Sequence, residues 1–161
     1  MSASTHKVNV DNVLSHAEKN LDETIEKLKE FSRIPGVSAE PPPHPELQRS
    51  AEFVSEWMTE IGLENVEILE MEGVHPYVYA DWMHAEGAPT VLLYAHHDVQ
   101  PPGRVEHWVS PAFEPTERDG RLYGRGVVDD KAGAAIHFAA IEAYLKNGGS
   151  PVNLKLVIDG E

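Results

Sequence analysis

No cysteine occurs among the 161 residues, which removes disulfides and thiolate metal ligands together, so any metal has to be held by histidine, aspartate or glutamate. That suits a reducing cytoplasm, where the chain is expected to reside. Basic residues are scarce as well: 13 Lys and Arg stand against 27 Asp and Glu, a formal net charge of −14. A surface of that sign repels phosphate backbones and anionic lipid, which argues against nucleic acid and membrane surfaces as partners. No apolar run reaches transmembrane length and residues 1–6 are polar, so neither a spanning helix nor a secretory leader is expected. Internal repeats and low-complexity tracts are lacking too.

What is present is enough for one globular domain, with 41% hydrophobic residues to build a core. Between residues 11 and 32 a helical stripe of Leu14, Ala17, Leu21, Ile25, Leu28 and Phe31 predicts one amphipathic helix, ended by Pro35 and Gly36. The run Glu40-Pro41-Pro42-Pro43-His44-Pro45 has to be an extended connector, since proline cannot continue helix hydrogen bonding. Leu47, Ala51, Val54, Met58 and Ile61 then predict a second helix, with Gly62 as its stop.

Beyond Gly62 the rhythm changes to short β-like runs at 66–69 and 77–82, followed by a turn at Gly87-Ala88-Pro89 and a strand over 90–95. Val91, Leu92, Leu93 and Tyr94 are apolar in succession, which predicts a central strand covered by helices on both sides. The stretch between Pro101 and Tyr123, with Trp108, Phe113 and the turn Asp119-Gly120, reads as a long structured loop. A further helix is marked by Ala132, Ala135, Ile136, Ala139, Ala140, Ala143 and Tyr144, and a last strand by residues 152–158. Together these elements predict an α/β fold in three layers, a sheet covered by helices.

Two acidic stretches carry the chemistry. Tyr94-Ala95-His96-His97-Asp98-Val99-Gln100-Pro101 puts a histidine and a carboxylate two residues apart where an apolar strand gives out, and ligands of α/β sheets gather at the carboxyl ends of strands. Imidazole and carboxylate are the cysteine-free ligands of zinc, and a metal-bound histidine commonly gives its other N–H to a carboxylate. A structural His-x-Asp pair fits the same residues. Asp129 and Asp130 precede a helix and can act there as caps, although two adjacent carboxylates also need a cation nearby, which Arg125 or Lys131 could supply.

Taken together, the two stretches resemble the zinc peptidases of the aminoacylase, carboxypeptidase and dipeptidase family. The first family signature, an aliphatic strand running into Gly-His-x-Asp-Val-x-Pro, is matched by residues 92–101 with Ala95 in place of the usual glycine. The second is matched by Trp108, Pro111, Phe113, Asp119, Gly120, Tyr123, Gly124, Arg125, Gly126, Asp129 and Lys131, with Ala112 and Ala132 as mild departures.

The resemblance implies that His96 and Asp129 are metal ligands, Asp129 bridging two zinc ions, and that Asp98 orients His96. It also implies a cis peptide between Asp129 and Asp130, with Asp130 not a ligand. His97 is expected to line the site or face the loop. By the same resemblance residues 1–161 correspond to the amino-terminal part of a catalytic domain, the general-base glutamate, the remaining ligands and a lid domain that often mediates dimerisation lying beyond residue 161. The expected activity of the whole enzyme is hydrolysis of dipeptides, or of N-acyl amino acids, next to a free carboxylate. Val99-Gln100-Pro101 leans toward the dipeptidase branch. Residues 1–161 alone are expected to be inactive, or to act with a partner chain.

Overall fold

The computed structural model describes residues 8–161; the polar start at residues 1–6 lies outside them. The first helical stripe folds as two helices, α1 (Val10–Lys19) and α2 (Leu21–Ser32), divided at Asn20. The expected single helix is corrected at that residue: Asn20 has φ −100° and ψ 9°, and its N–H closes α1 on the carbonyls of His16 and Glu18. Leu14 and Leu21, assigned to the stripe, are exposed, and Val13 packs inward in their stead. Helix α3 (Pro45–Glu60) starts with proline in its first turn, where the missing N–H costs nothing, and buries Leu47, Ala51, Val54, Trp57 and Met58. It stops as its sequence indicates, with Gly62 at φ +96° and the Leu63 N–H reaching back to Met58 O.

A four-stranded sheet follows, formed by β1 (Glu64–Leu69), β2 (Tyr77–Trp82), β3 (Thr90–His96) and β6 (Asn153–Asp159) in the order β1-β2-β6-β3. The first two neighbouring pairs are antiparallel, and β3 runs parallel to β6. Between β3 and β6 come a single 3₁₀ turn (Val105–His107), the hairpin β4 (Thr116–Arg118) and β5 (Arg121–Tyr123), and helix α4 (Lys131–Leu145). The hairpin turns at Asp119 and Gly120, both at positive φ.

Helix and sheet share one core. Phe31, Trp57, Ala134, Ala135, Phe138 and Ile141 pack with Val78, Ala80, Ala95, Leu154, Leu156 and Ile158, the alternate residues of one sheet face. Trp57 meets Phe138 edge-on at 5.1 Å. On the opposite face Leu92 is 64% and Tyr94 58% exposed. The expectation for β3 is therefore corrected within the described residues: among them it stands at the edge of the sheet with one covered face, and β6 is interior. The buried side of α4 also differs from the stripe of small residues, because Phe138 and Ile141 face the core while Ile136 is exposed.

Candidate metal centre

The parallel register of β3 and β6 sets His96 beside Asp159, so both strands deliver polar groups at the same end of the sheet. Past that end the chain stays ordered: Val99 N–H donates to Gly36 O at 2.8 Å, Ser38 N–H to Val99 O at 3.3 Å, and Val37 bridges Val99 in parallel. From the other side, Arg125 N–H donates to Ala112 O at 2.7 Å and Arg125 Nη2 to Pro101 O at 3.0 Å, which ties the segment before α4 to the segment after β3.

These elements bring His96, Asp98 and Asp129 together. His96 Nδ1 lies 2.8 Å from Asp98 Oδ1, and His96 Nε2 lies 3.1 Å from Asp129 Oδ1. The peptide between Asp129 and Asp130 is cis. Asp130, at the start of α4, turns its Oδ2 to accept the His96 backbone N–H at 3.2 Å, so it braces the ligand strand and caps no helical N–H with its side chain. Asp98, Asp129, Asp159, Glu161 and Tyr94 line a cleft of about 270 Å³ around His96, with Arg125 as the cation among its lining residues.

The electrostatics follow from this crowding. Burial works against a charged His96 ring, yet the carboxylates of Asp98 and Asp129 outweigh it and raise its pKa above the ordinary imidazole value. Asp98 is itself raised, chiefly by burial, against the opposing hydrogen bond from Ser38 and the charge of His96. Burial and the nearby Asp159 carboxylate also raise Tyr94, whose hydroxyl donates to Asp159 Oδ2 at 3.1 Å.

The donor set suits a divalent cation. With the Nδ1 proton given to Asp98, Nε2 presents a lone pair, and the carboxylate of Asp129 supplies a hard oxygen beside it. Two ligands about 2.1 Å from one zinc lie about 3.0–3.4 Å apart, and the observed 3.1 Å falls in that range. Among the described residues no group of three or more His, Cys, Asp or Glu side chains is arranged to hold one ion. The residues present fit two positions of a metal centre.

Two expectations about neighbouring residues are corrected. His97 neither lines the cleft nor faces the loop; it is fully buried on the other side of the strand, with Nδ1 3.1 Å from Ser50 Oγ and Nε2 2.8 Å from Pro76 O. Burial lowers its pKa to about 4. Lys131 does not offset the Asp129–Asp130 pair either. Its Nζ is buried and donates to Phe31 O and Ile34 O, both at 2.8 Å, beneath the Phe31 ring. Burial brings its pKa down to about 7.

One group at the site has no counterpart in the reading of the sequence. Ser38 Oγ lies 2.5 Å from Asp98 Oδ2. The only local signal was Pro35-Gly36-Val37-Ser38 following a helix, which marks a turn and says nothing of a residue 60 positions away.

Comparison with known proteins bears on this geometry. Residues 92–161 match the model of peptidase family M20/M25/M40, a stretch that holds every residue lining the cleft. The chain is 31% identical to the Cys-Gly metallodipeptidase dug1 of Schizosaccharomyces pombe over 96% of its own length and 34% of that protein. It is 40% identical to the succinyl-diaminopimelate desuccinylase of Xylella fastidiosa over 48% of its length and 21% of that protein. In structure it is similar to human carnosine dipeptidase 1, with a TM-score of 0.83 and 29% identity over 93% of this chain and 34% of that one. The chain thus spans about a third of the length of the dipeptidases it matches.

Proposed function

We propose, from the match of residues 92–161 to the model of peptidase family M20/M25/M40, that the chain is the amino-terminal part of the catalytic domain of a two-zinc dipeptidase. The observation that carries this reading is the joint position of one imidazole: His96 meets Asp98 through Nδ1 and Asp129 through Nε2. A histidine that only filled space would not need both ring nitrogens aimed at carboxylates from different segments.

When bound, a divalent metal at such a site polarises the scissile carbonyl and acidifies water. His96 would contribute a nitrogen donor to it and Asp129 a carboxylate oxygen. Asp98 keeps the His96 proton on Nδ1, leaving Nε2 free to ligate. The general base and the remaining ligands of the whole enzyme belong to sequence other than residues 1–161, so this chain alone turns over no substrate. Relatives named as dipeptidases support a dipeptide substrate with a free carboxylate. The whole enzyme is cytoplasmic and homodimeric in this reading. The charge of −14 supports the absence of nucleic-acid partners, and no helix of the described residues is long and apolar enough to cross a membrane.

The similarity to a desuccinylase favours a second reading, deacylation of N-acyl amino acids by the same centre. A zinc-loaded chain extended to the length of these relatives, assayed on dipeptides and on N-acyl amino acids, separates the two by the ratio of kcat/KM. Faster dipeptide turnover supports the first reading and the reverse supports the second. Turnover of a dipeptide by residues 1–161 with zinc and no added polypeptide would overturn the view that the catalytic set is shared with other sequence.

A further inference from the structure

Asp98 uses both of its oxygens. Oδ1 lies 2.8 Å from His96 Nδ1 while Oδ2 accepts the Ser38 hydroxyl proton at 2.5 Å. The terminal torsion of an aspartate is broad and roughly two-fold, so a carboxylate held at one oxygen can still swing about it. Partners on different oxygens remove that freedom.

Ser38 is itself held from two sides. Its N–H donates to Val99 O at 3.3 Å and its neighbour Val37 bridges Val99, while its carbonyl accepts from His75 Nε2 at 3.2 Å. His75 is 4% exposed and also reaches Glu40 O at 3.0 Å, so the loop carrying Ser38 is pinned at its back as well as its edge. The hydroxyl has one proton to give and lies near Glu161 too. Asp98, only 3% exposed, has little water to replace a lost donor, whereas Glu161 is exposed. The proton therefore goes to Asp98.

We infer that Ser38 is a positioning residue of this centre: its hydroxyl fixes the rotation of the Asp98 carboxylate and, through Asp98, the tautomer and orientation of the His96 ring. The functional consequence rests on the proposed metal-ligand role of His96; the positioning itself is a property of the metal-free chain.

The test is the tautomer of His96, read from nitrogen–proton correlations of the imidazole in residues 1–161, without metal, at a fixed pH above the titration of the ring. In the unmodified chain Nδ1–H, facing the buried Asp98, should predominate over Nε2–H, facing the exposed Asp129. Ser38→Ala should lower the ratio of Nδ1–H to Nε2–H about three- to tenfold, the effect of one lost hydrogen bond, and Ser38→Thr should restore it to within about twofold. Ser38→Cys keeps the volume with a weak donor, so it should behave like alanine and serves if the alanine variant does not fold. An unchanged ratio in the alanine or cysteine variant overturns the inference, as does an Asp98→Ala variant that leaves the tautomer where it was. Zinc titration of the same samples keeps the two ideas apart. Ring signals of His96 that ignore zinc remove the metal reading and leave the positioning intact, whereas a zinc response with no tautomer change on loss of the hydroxyl removes only Ser38.

Discussion

Asp129 Oδ1 stands 3.1 Å from His96 Nε2 although 33 residues separate them, and the Asp129 side chain is 83% exposed. An exposed carboxylate contributes little to folding, so its removal separates binding from stability. In a chain extended to the length of its relatives, Asp129→Asn should abolish zinc binding measured by calorimetry, while in residues 1–161 it should leave the urea midpoint equivalent to within about 0.5 kcal/mol. Asp98→Asn, one step removed from the metal, should weaken zinc binding about 10–100-fold.

Lys131 makes the opposite case. Its ammonium joins the first turn of α4 to the Phe31 carbonyl in the last turn of α2, 100 residues away, and to the Ile34 carbonyl just past it, at the negative end of that helix. Lys131→Met keeps the apolar stem but takes one donor from each of two carbonyls, which retain the Ile34 and Gly36 N–H groups, so the chain should lose about 1–3 kcal/mol in denaturant unfolding. Loss of under 0.5 kcal/mol would show that water replaces the amine without cost.

His97 makes stability depend on acidity. Its folded pKa is about 4 against an ordinary 6.5, so between those values the unfolded chain binds the proton that the folded chain refuses. Stability from this group is complete above 6.5 and falls as the pH drops toward 4, by about 3 kcal/mol in all. Unfolding followed from near pH 7 to near pH 5 should show the decline, and His97→Gln should flatten it. A profile of equal slope in both chains would assign the acid sensitivity elsewhere.

Gly126 is at φ +83°, and a Cβ there would lie 2.8 Å from Val99 Cγ1. Gly126→Ala therefore meets backbone strain and a packed neighbour at once, and should cost about 1–3 kcal/mol by thermal or urea unfolding. Because Gly126 O also accepts the Lys131 N–H, the variant should weaken zinc binding too.

Much of this was legible in the residues, and the exceptions have physical reasons. Helix α3 announced both ends, with a proline inside its start and a glycine after its stop. The acidic stretches announced His96, Asp98 and Asp129 because a rare combination of residue types recurs in a family. The position of β3 was not legible, since Val-Leu-Leu-Tyr reads alike whether both faces are covered or one; strand order is decided by residues far along the chain. Helix α4 is apolar nearly all round, so its alanines gave no contrast from which to read the core side. Asn20 lacked the proline or glycine that usually marks a break. Ser38, His97 and Lys131 owe their roles to partners 47 to 100 residues distant, and no window of sequence contains both members.

The interior place of β6 sets an order of events in synthesis. Residues 153–159 fill the gap between β2 and β3, strands finished some 57 to 71 residues earlier. Until that segment leaves the ribosome, β2 and β3 each hold a bare row of backbone donors and acceptors with nothing between them, and the apolar residues of both wait in water. The sheet closes from the middle, so a nascent chain stopped short of Asn153 leaves the facing edges of β2 and β3 available to any other strand.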